Sequence, residues 1–211
     1  MSRKQKKKIY REEQDLIEIK TRILIVCEGT KTEPNYFIKF QDVLDDMRIE
    51  VKIAGTGYNT ESLIEYARIL KENGNYNQVW CVFDRDSFTE ESIRKAFSQA
   101  RKYKFRIAFS NEAFELWYLL HFNYYHSAIT RNDYIKKLDK EFKKTFPEMK
   151  LRYRKNMSDI FDILKDKQQH AINHADRILK SYGSNYRPEK SNPSTTVHFL
   201  VKELNNYRKD L

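Results

Sequence analysis

Glycine and proline are scarce, 5 and 4 in 211 residues. This excludes collagen-like, low-complexity and linker-rich organisations, and no internal repeat is visible. Cysteine occurs twice, as Cys27 and Cys81, each inside an apolar run. Two such residues cannot build a disulfide framework or a zinc quartet; they read as small buried hydrophobes of a reducing compartment. No apolar run approaches the length needed to span a bilayer. The opening MSRKQKKKIYREE is basic with no apolar stretch behind it, so it does not read as a secretory signal, and a cytoplasmic location without membrane contact is expected.

What is present is a core and a surplus of positive charge. Hydrophobic residues make up 40% and aromatic residues 14%, enough for a sizeable folded unit. Forty basic side chains face 30 acidic ones, for a net charge of +10, which favours an anionic partner, nucleic acid above all. Lys4, Lys6, Lys7 and Lys8 cluster in what reads as a basic N-terminal arm, residues 1–20.

Residues 22–27 form, after Arg22, a continuous apolar run rich in β-branched residues, as in a strand buried on both faces. Pro34 then suits the first turn of a helix carrying Tyr36, Phe37 and Phe40. Residues 48–54 alternate as a second strand, and 60–72 carry Leu63, Ile64, Ala67 and Leu70 at helical spacing. VWCVF (79–83) reads as a third strand, with a Ser87-x-x-Glu90 capping box opening the next helix. FRIAF (105–109) reads as a fourth strand, followed by the helical run NEAFELWYLLHF. Alternation of this kind predicts an α/β fold: a Rossmann-like, mostly parallel sheet with helices on both faces, over residues 21–125. From about 131 the strand signals stop. Residues 131–146, 156–181 and 194–209 read as charged helices, making a helical C-terminal part, 126–211, packed on the sheet. Ser194 or Thr195 is the expected cap of the last helix.

In an open parallel sheet, ligands bind outside the carboxyl ends of the strands. Glu28 lies one residue past the first strand, and Asp84 and Asp86 follow the third. Carboxylates gathered at one edge repel each other unless a cation intervenes. A hard divalent ion, Mg²⁺ or Mn²⁺, takes oxygen ligands, and Asp84-x-Asp86 offers two from one turn. Such an ion would neutralise phosphate, activate water and stabilise a leaving oxygen. A plain helix-capping role for the aspartates is the bland alternative.

CEGTKTEPNYF (27–37) followed by FDRDSF resembles a Toprim domain, the metal-binding fold of topoisomerases, primases and OLD-type nucleases. With SNEAFELWYLLHF (110–122) and NPSTTVHFLVKEL (192–204), the chain more closely resembles the RloB-like family, a Toprim-related bacterial group. The resemblance spans most of the chain. It implies Glu28 as general acid/base or metal contact, Asp84 and Asp86 as metal holders, and Glu33 as an additional acid. It also implies a Mg²⁺-dependent nuclease, with RNA (transfer RNA included) or DNA as substrate, acting in anti-phage defence by abortive infection beside an ABC- or AAA-type ATPase. A catalytically silent module that binds metal and nucleic acid, or docks on the ATPase, is the alternative. Where the family usually has Asn-Pro after the fourth strand this chain has Asn111-Glu112, and a carboxylate suits a helix N-terminus.

Asn111 and Glu115 are expected near the same edge, Glu115 needing a partner or metal inside an apolar helix. Lys136, Lys137, Lys143, Lys144, Arg152, Arg154 and Lys155 interleave with Phe142, Phe146 and Tyr153, a pattern suited to phosphate contact and base stacking. A solvated amphipathic helix explains it too. His170 and His174 lack further zinc ligands and read as exposed; His121 reads as structural. Metal count and oligomeric state, a homo-oligomer included, stay open.

Overall fold

The computed structural model describes residues 21–44, 48–54, 60–85, 88–149 and 152–207. The N-terminal arm, Asp86 and Ser87 lie outside them. The chain runs β1 (Arg22–Cys27), α1 (Thr32–Phe37), β2 (Arg48–Ile53), α2 (Thr60–Glu72), β3 (Gln78–Asp84), α3 (Glu90–Lys102) and β4 (Arg106–Asn111). Then follow α4 (Glu115–Leu119), α5 (Arg131–Thr145), α6 (Ile160–Leu164), α7 (Gln168–Tyr182), β5 (Ser194–Thr195) and α8 (Val197–Asn205).

The five strands form one sheet in the order β2-β1-β3-β4-β5, parallel except for β5. β1 lies between β2 and β3, with Cys27 in register with Ile53 on one side and Val82 on the other. Both faces of β1 are therefore covered, which is why its sequence is apolar from Ile23 to Cys27. Ile23, Ile25 and Cys27 face one core with α1, α4 and the C-terminal helices; Leu24 and Val26 face a second core with α2 and α3. The chain leaves β1 for β2 over the first face and returns past β1 to β3 over the second. Successive crossovers in opposite directions keep the same hand only on opposite faces. The reversal opens a crevice at the carboxyl ends of β1 and β3, the switch point of the sheet.

Three sequence expectations change. The strand content does not end at β4: β5 pairs antiparallel with it, Ser110 opposite Thr195 and Asn111 opposite Ser194. The pairing is sustained by hydroxyls. Thr196 Oγ1 accepts from the Phe109 N–H at 2.9 Å and donates to the Ile107 carbonyl at 3.2 Å. Ser194 is thus a strand residue and Thr196 takes the N-cap position of α8, although Thr195 Oγ1 still accepts from Val197 N–H at 3.2 Å. Secondly, α3 is capped by Thr89, which accepts from Ser92 N–H at 3.2 Å. Thirdly, the stretch 156–181 is two helices, because 165–167 is a wholly charged triplet with no apolar side chain to bury and tightens into a 3₁₀ turn.

The Thr196 hydroxyl is the partner of a buried amide, so Thr196→Val, of similar shape, should destabilise the fold by about 1–3 kcal/mol, and Thr196→Ser by much less. Urea unfolding midpoints at constant m-value check this ordering.

Candidate active site

β1 hands over to the crevice at Glu28, whose N–H donates to the Val82 carbonyl at 3.0 Å and extends the β1–β3 ladder by one residue. The turn that follows passes through Gly29. A Cβ there would sit 2.0 Å from a Glu33 carboxylate oxygen, so only glycine lets the Glu33 carboxyl fold back over the turn. Glu33 stands in the first turn of α1 next to Pro34, and it is buried, 5% exposed. Tyr118 from α4 fixes this helix start by donating its hydroxyl to the Thr32 carbonyl at 2.8 Å.

Asp84 is the last residue of β3, in register with Ser110, and is 8% exposed. It accepts from Phe114 N–H at 3.3 Å, and Arg131 Nη2 lies 3.0 and 2.9 Å from its two oxygens. Arg131 is the first residue of α5, whose start is fixed by a capping box between Thr130 and Asp133. Glu115, the first residue of α4 and 2% exposed, accepts from the Tyr153 hydroxyl at 3.0 Å.

Three acidic side chains and one guanidinium thus share a corner with little water. Burial, then the charges of Asp84 and Glu115, push the Glu33 carboxyl up to about 8, against the opposing pull of its own backbone N–H and of Arg131. Burial foremost, with the Glu33 charge adding, also raises the Cys27 thiol well above its ordinary range, which removes it as a nucleophile. His121 is fully buried, with Nδ1 2.9 Å from the Trp117 carbonyl, and burial lowers it to about 3. It is a structural histidine, as expected.

The structure brings Glu33, Asp84 and Glu115 together and sets Glu28 at the same end of the sheet. Asn111 ends β4 but turns to the C-terminal segment, donating to the Pro188 carbonyl at 2.9 Å. Glu112 does not serve a helix N-terminus: it precedes α4 by three residues and accepts from Asn192 Nδ2 at 3.4 Å. The cations Lys136, Lys143, Lys144, Arg152, Arg154 and Lys155 are exposed, and the partly buried Lys137 sits 5.4 Å over the Tyr125 ring. Arg152 to Lys155 belong to a segment laid across α1, where Thr32 Oγ1 donates to the Lys155 carbonyl at 3.4 Å and Asn35 Nδ2 to the Met157 carbonyl at 3.2 Å. The expected base-stacking role fails for Phe142 and Tyr153, which are buried in the core. His170 is exposed, whereas His174 is partly buried, Nδ1 lying 2.8 Å from the Leu120 carbonyl.

Sequence reasoning missed Arg131 and the role of Tyr153. Arg131 carries a signal: a cation in the first turn of a helix opposes the macrodipole and needs an anion elsewhere. Nothing in the sequence marks Tyr153 as the donor to Glu115. As a home for a hard divalent cation the corner is suitable in kind, since its donors are carboxylate oxygens whose charge exceeds that of Arg131. Among the described residues, no three acidic, histidine or cysteine side chains already form a metal-ligating group.

A carboxyl held at about 8 in the fold and at an ordinary 4.5 when unfolded makes the folded chain bind the extra proton. Stability from this group is therefore present at low pH and lost as pH rises from about 4.5 through about 8. In metal-free buffer, the Tm of the wild-type chain should fall relative to that of Glu33→Gln across this window. Parallel profiles would show that Glu33 titrates normally.

A family profile described as RloB-like protein matches residues 23–204. No curated protein and no solved structure matches the chain. The match runs from the start of β1 to the last turn of α8, taking in the carboxylate corner, Arg131 and the segment that crosses α1; the chain belongs to the RloB-like family.

Proposed function

We propose that the chain is a Mg²⁺-dependent phosphodiesterase that cuts nucleic acid, transfer RNA among its candidate substrates, as the effector of an anti-phage system working with an ABC- or AAA-type ATPase. The observation that carries this reading is the convergence of Glu33, Asp84 and Glu115 at the switch point of the sheet, close to the exposed cations of residues 152–155. The Toprim resemblance supplies the reaction class and the partner.

Asp84 and, through the resemblance, Asp86 would hold the cation, with Glu115 at its margin. Once bound, Mg²⁺ would offset phosphate charge, acidify the attacking water and stabilise the leaving oxygen. The chain's own groups do the rest. Phe114 N–H and Arg131 fix the orientation of Asp84. Glu33, poised near neutrality, can take or return a proton at its carboxyl oxygen. Glu28, half-buried at the mouth of the crevice, would bind a second ion or move the proton during attack on phosphate. Arg152, Arg154 and Lys155 draw the polyanion across α1. One observation favours the silent-module alternative: Arg131 already neutralises Asp84.

Mg²⁺-dependent digestion of transfer RNA, single-stranded RNA and DNA, with and without the ATPase, separates the two. Products are expected in at least one condition, and Glu28→Ala should lower their rate by roughly 10²-fold or more with the fold intact. Undiminished cleavage by that variant would overturn the mechanism, and absence of products throughout would favour the module. Neutralising Arg152, Arg154 and Lys155 together should weaken binding to all sequences alike. It should also flatten the log–log salt dependence for single strands by about 2.

A further inference from the structure

Arg131 and a divalent cation would compete for the Asp84 carboxylate. One guanidinium nitrogen lies within 3.0 Å of both carboxylate oxygens, and the two side chains are only 25% and 12% exposed. A divalent ion arriving at either oxygen would meet a positive charge a few ångströms away, with little water to screen it. The helix offers no compensation, because its N-terminus disfavours a cation at the first position. What draws Arg131 inward is the negative corner itself, which it serves as a built-in counter-ion.

We propose that Arg131 holds the place of the divalent cation in the metal-free protein and exchanges from Asp84 to a substrate phosphate when the cation binds. The inference rests on the metal-dependent reading above and deepens it by assigning the phosphate contact. Three features support the exchange. The backbone of Arg131 is anchored by the Thr130–Asp133 capping box, so its side chain can swing without unwinding α5. The guanidinium fork matches a phosphate as well as it matches a carboxylate. The exposed cations of residues 152–155 lie on the segment whose Tyr153 reaches Glu115, in the same corner, so a phosphate guided by them arrives close to the displaced guanidinium. The corner then keeps positive charge in both states, supplied by arginine before metal binding and by the ion after it.

Calorimetric titration of the metal-free chain with Mg²⁺ tests this, together with binding of a phosphorothioate single-stranded RNA in saturating Mg²⁺. Arg131→Gln should bind Mg²⁺ about ten- to a hundredfold more tightly, the equivalent of removing one charge-assisted contact, and the RNA several-fold more weakly. A merely structural Arg131 would weaken both. Mg²⁺ binding by the variant that is no tighter than wild type overturns the exchange while leaving the metal-dependent reading in place. No Mg²⁺ binding by either chain overturns both. Should Arg131→Gln fail to fold, the wild-type chain decides: Mg²⁺ should shift the Arg131 Nε–H resonance and speed its solvent exchange, and an unmoved resonance counts against the proposal.

Discussion

The contact between Arg131 and Asp84 joins residues 47 apart in sequence, and the carboxyl edge of the sheet depends on it. Glu33, Asp84 and Glu115 would otherwise face one another in a corner from which water is largely excluded. Removing Arg131 from such a group leaves buried charge less well compensated, which is more damaging than the net value of the pair suggests. The helix that delivers Arg131 comes from the C-terminal part, as do Tyr153, the donor to Glu115, and β5, the last strand of the sheet. The α/β part therefore does not own its site. The C-terminal part is bonded into the sheet and shares its larger hydrophobic core, which explains why one family profile extends over both.

Packing sets how precisely that corner is held. Tyr36 of α1 meets Phe114, Trp117 and Tyr118 around α4 edge-on or tilted, with centroids 5.8–6.3 Å apart, and Phe161 of α6 at 5.4 Å. Aromatic pairs in these geometries add to simple area burial and have few rotamers to choose from. Because Glu33 and Glu115 sit at the starts of the two helices so joined, their carboxyls are fixed by the core beneath them. Such stiffness leaves these carboxylate oxygens little freedom to reorganise.

Most of the fold was legible in the sequence, for physical reasons that also mark the limits. β1 and β3 are buried on both faces, so their apolar runs are unbroken, and residues at their carboxyl ends are exposed to chemistry by topology alone. Glu28 and Asp84 could therefore be placed without a structure. β5 could not, because two residues show no periodicity and its pairing rests on the hydroxyls of Thr195 and Thr196, which read equally well as helix caps. Tyr153 looked like a stacking platform because alternation with arginine does not say which way a ring points; it points inward. Arg131 was one cation among 40, and only its place in the first turn of a helix set it apart.

Tyr153 also explains why the basic surface and the acidic corner form one device. Its ring is buried against Tyr118 and Phe142, and its hydroxyl ends on Glu115, while Arg152 and Arg154 on either side face water. A strand-like alternation in an irregular segment thus sends one side chain into the corner and its neighbours outward. Its N–H is held as well, donating to Asp139 of α5 at 2.7 Å. The segment is consequently pinned to α5, α4 and α1 at once. The helix that carries Arg131, the helices that carry two of the acids and the exposed cations share these few hydrogen bonds. Asp84, through Arg131, and the basic segment, through Tyr153 and Asp139, are thus tied to the same helix.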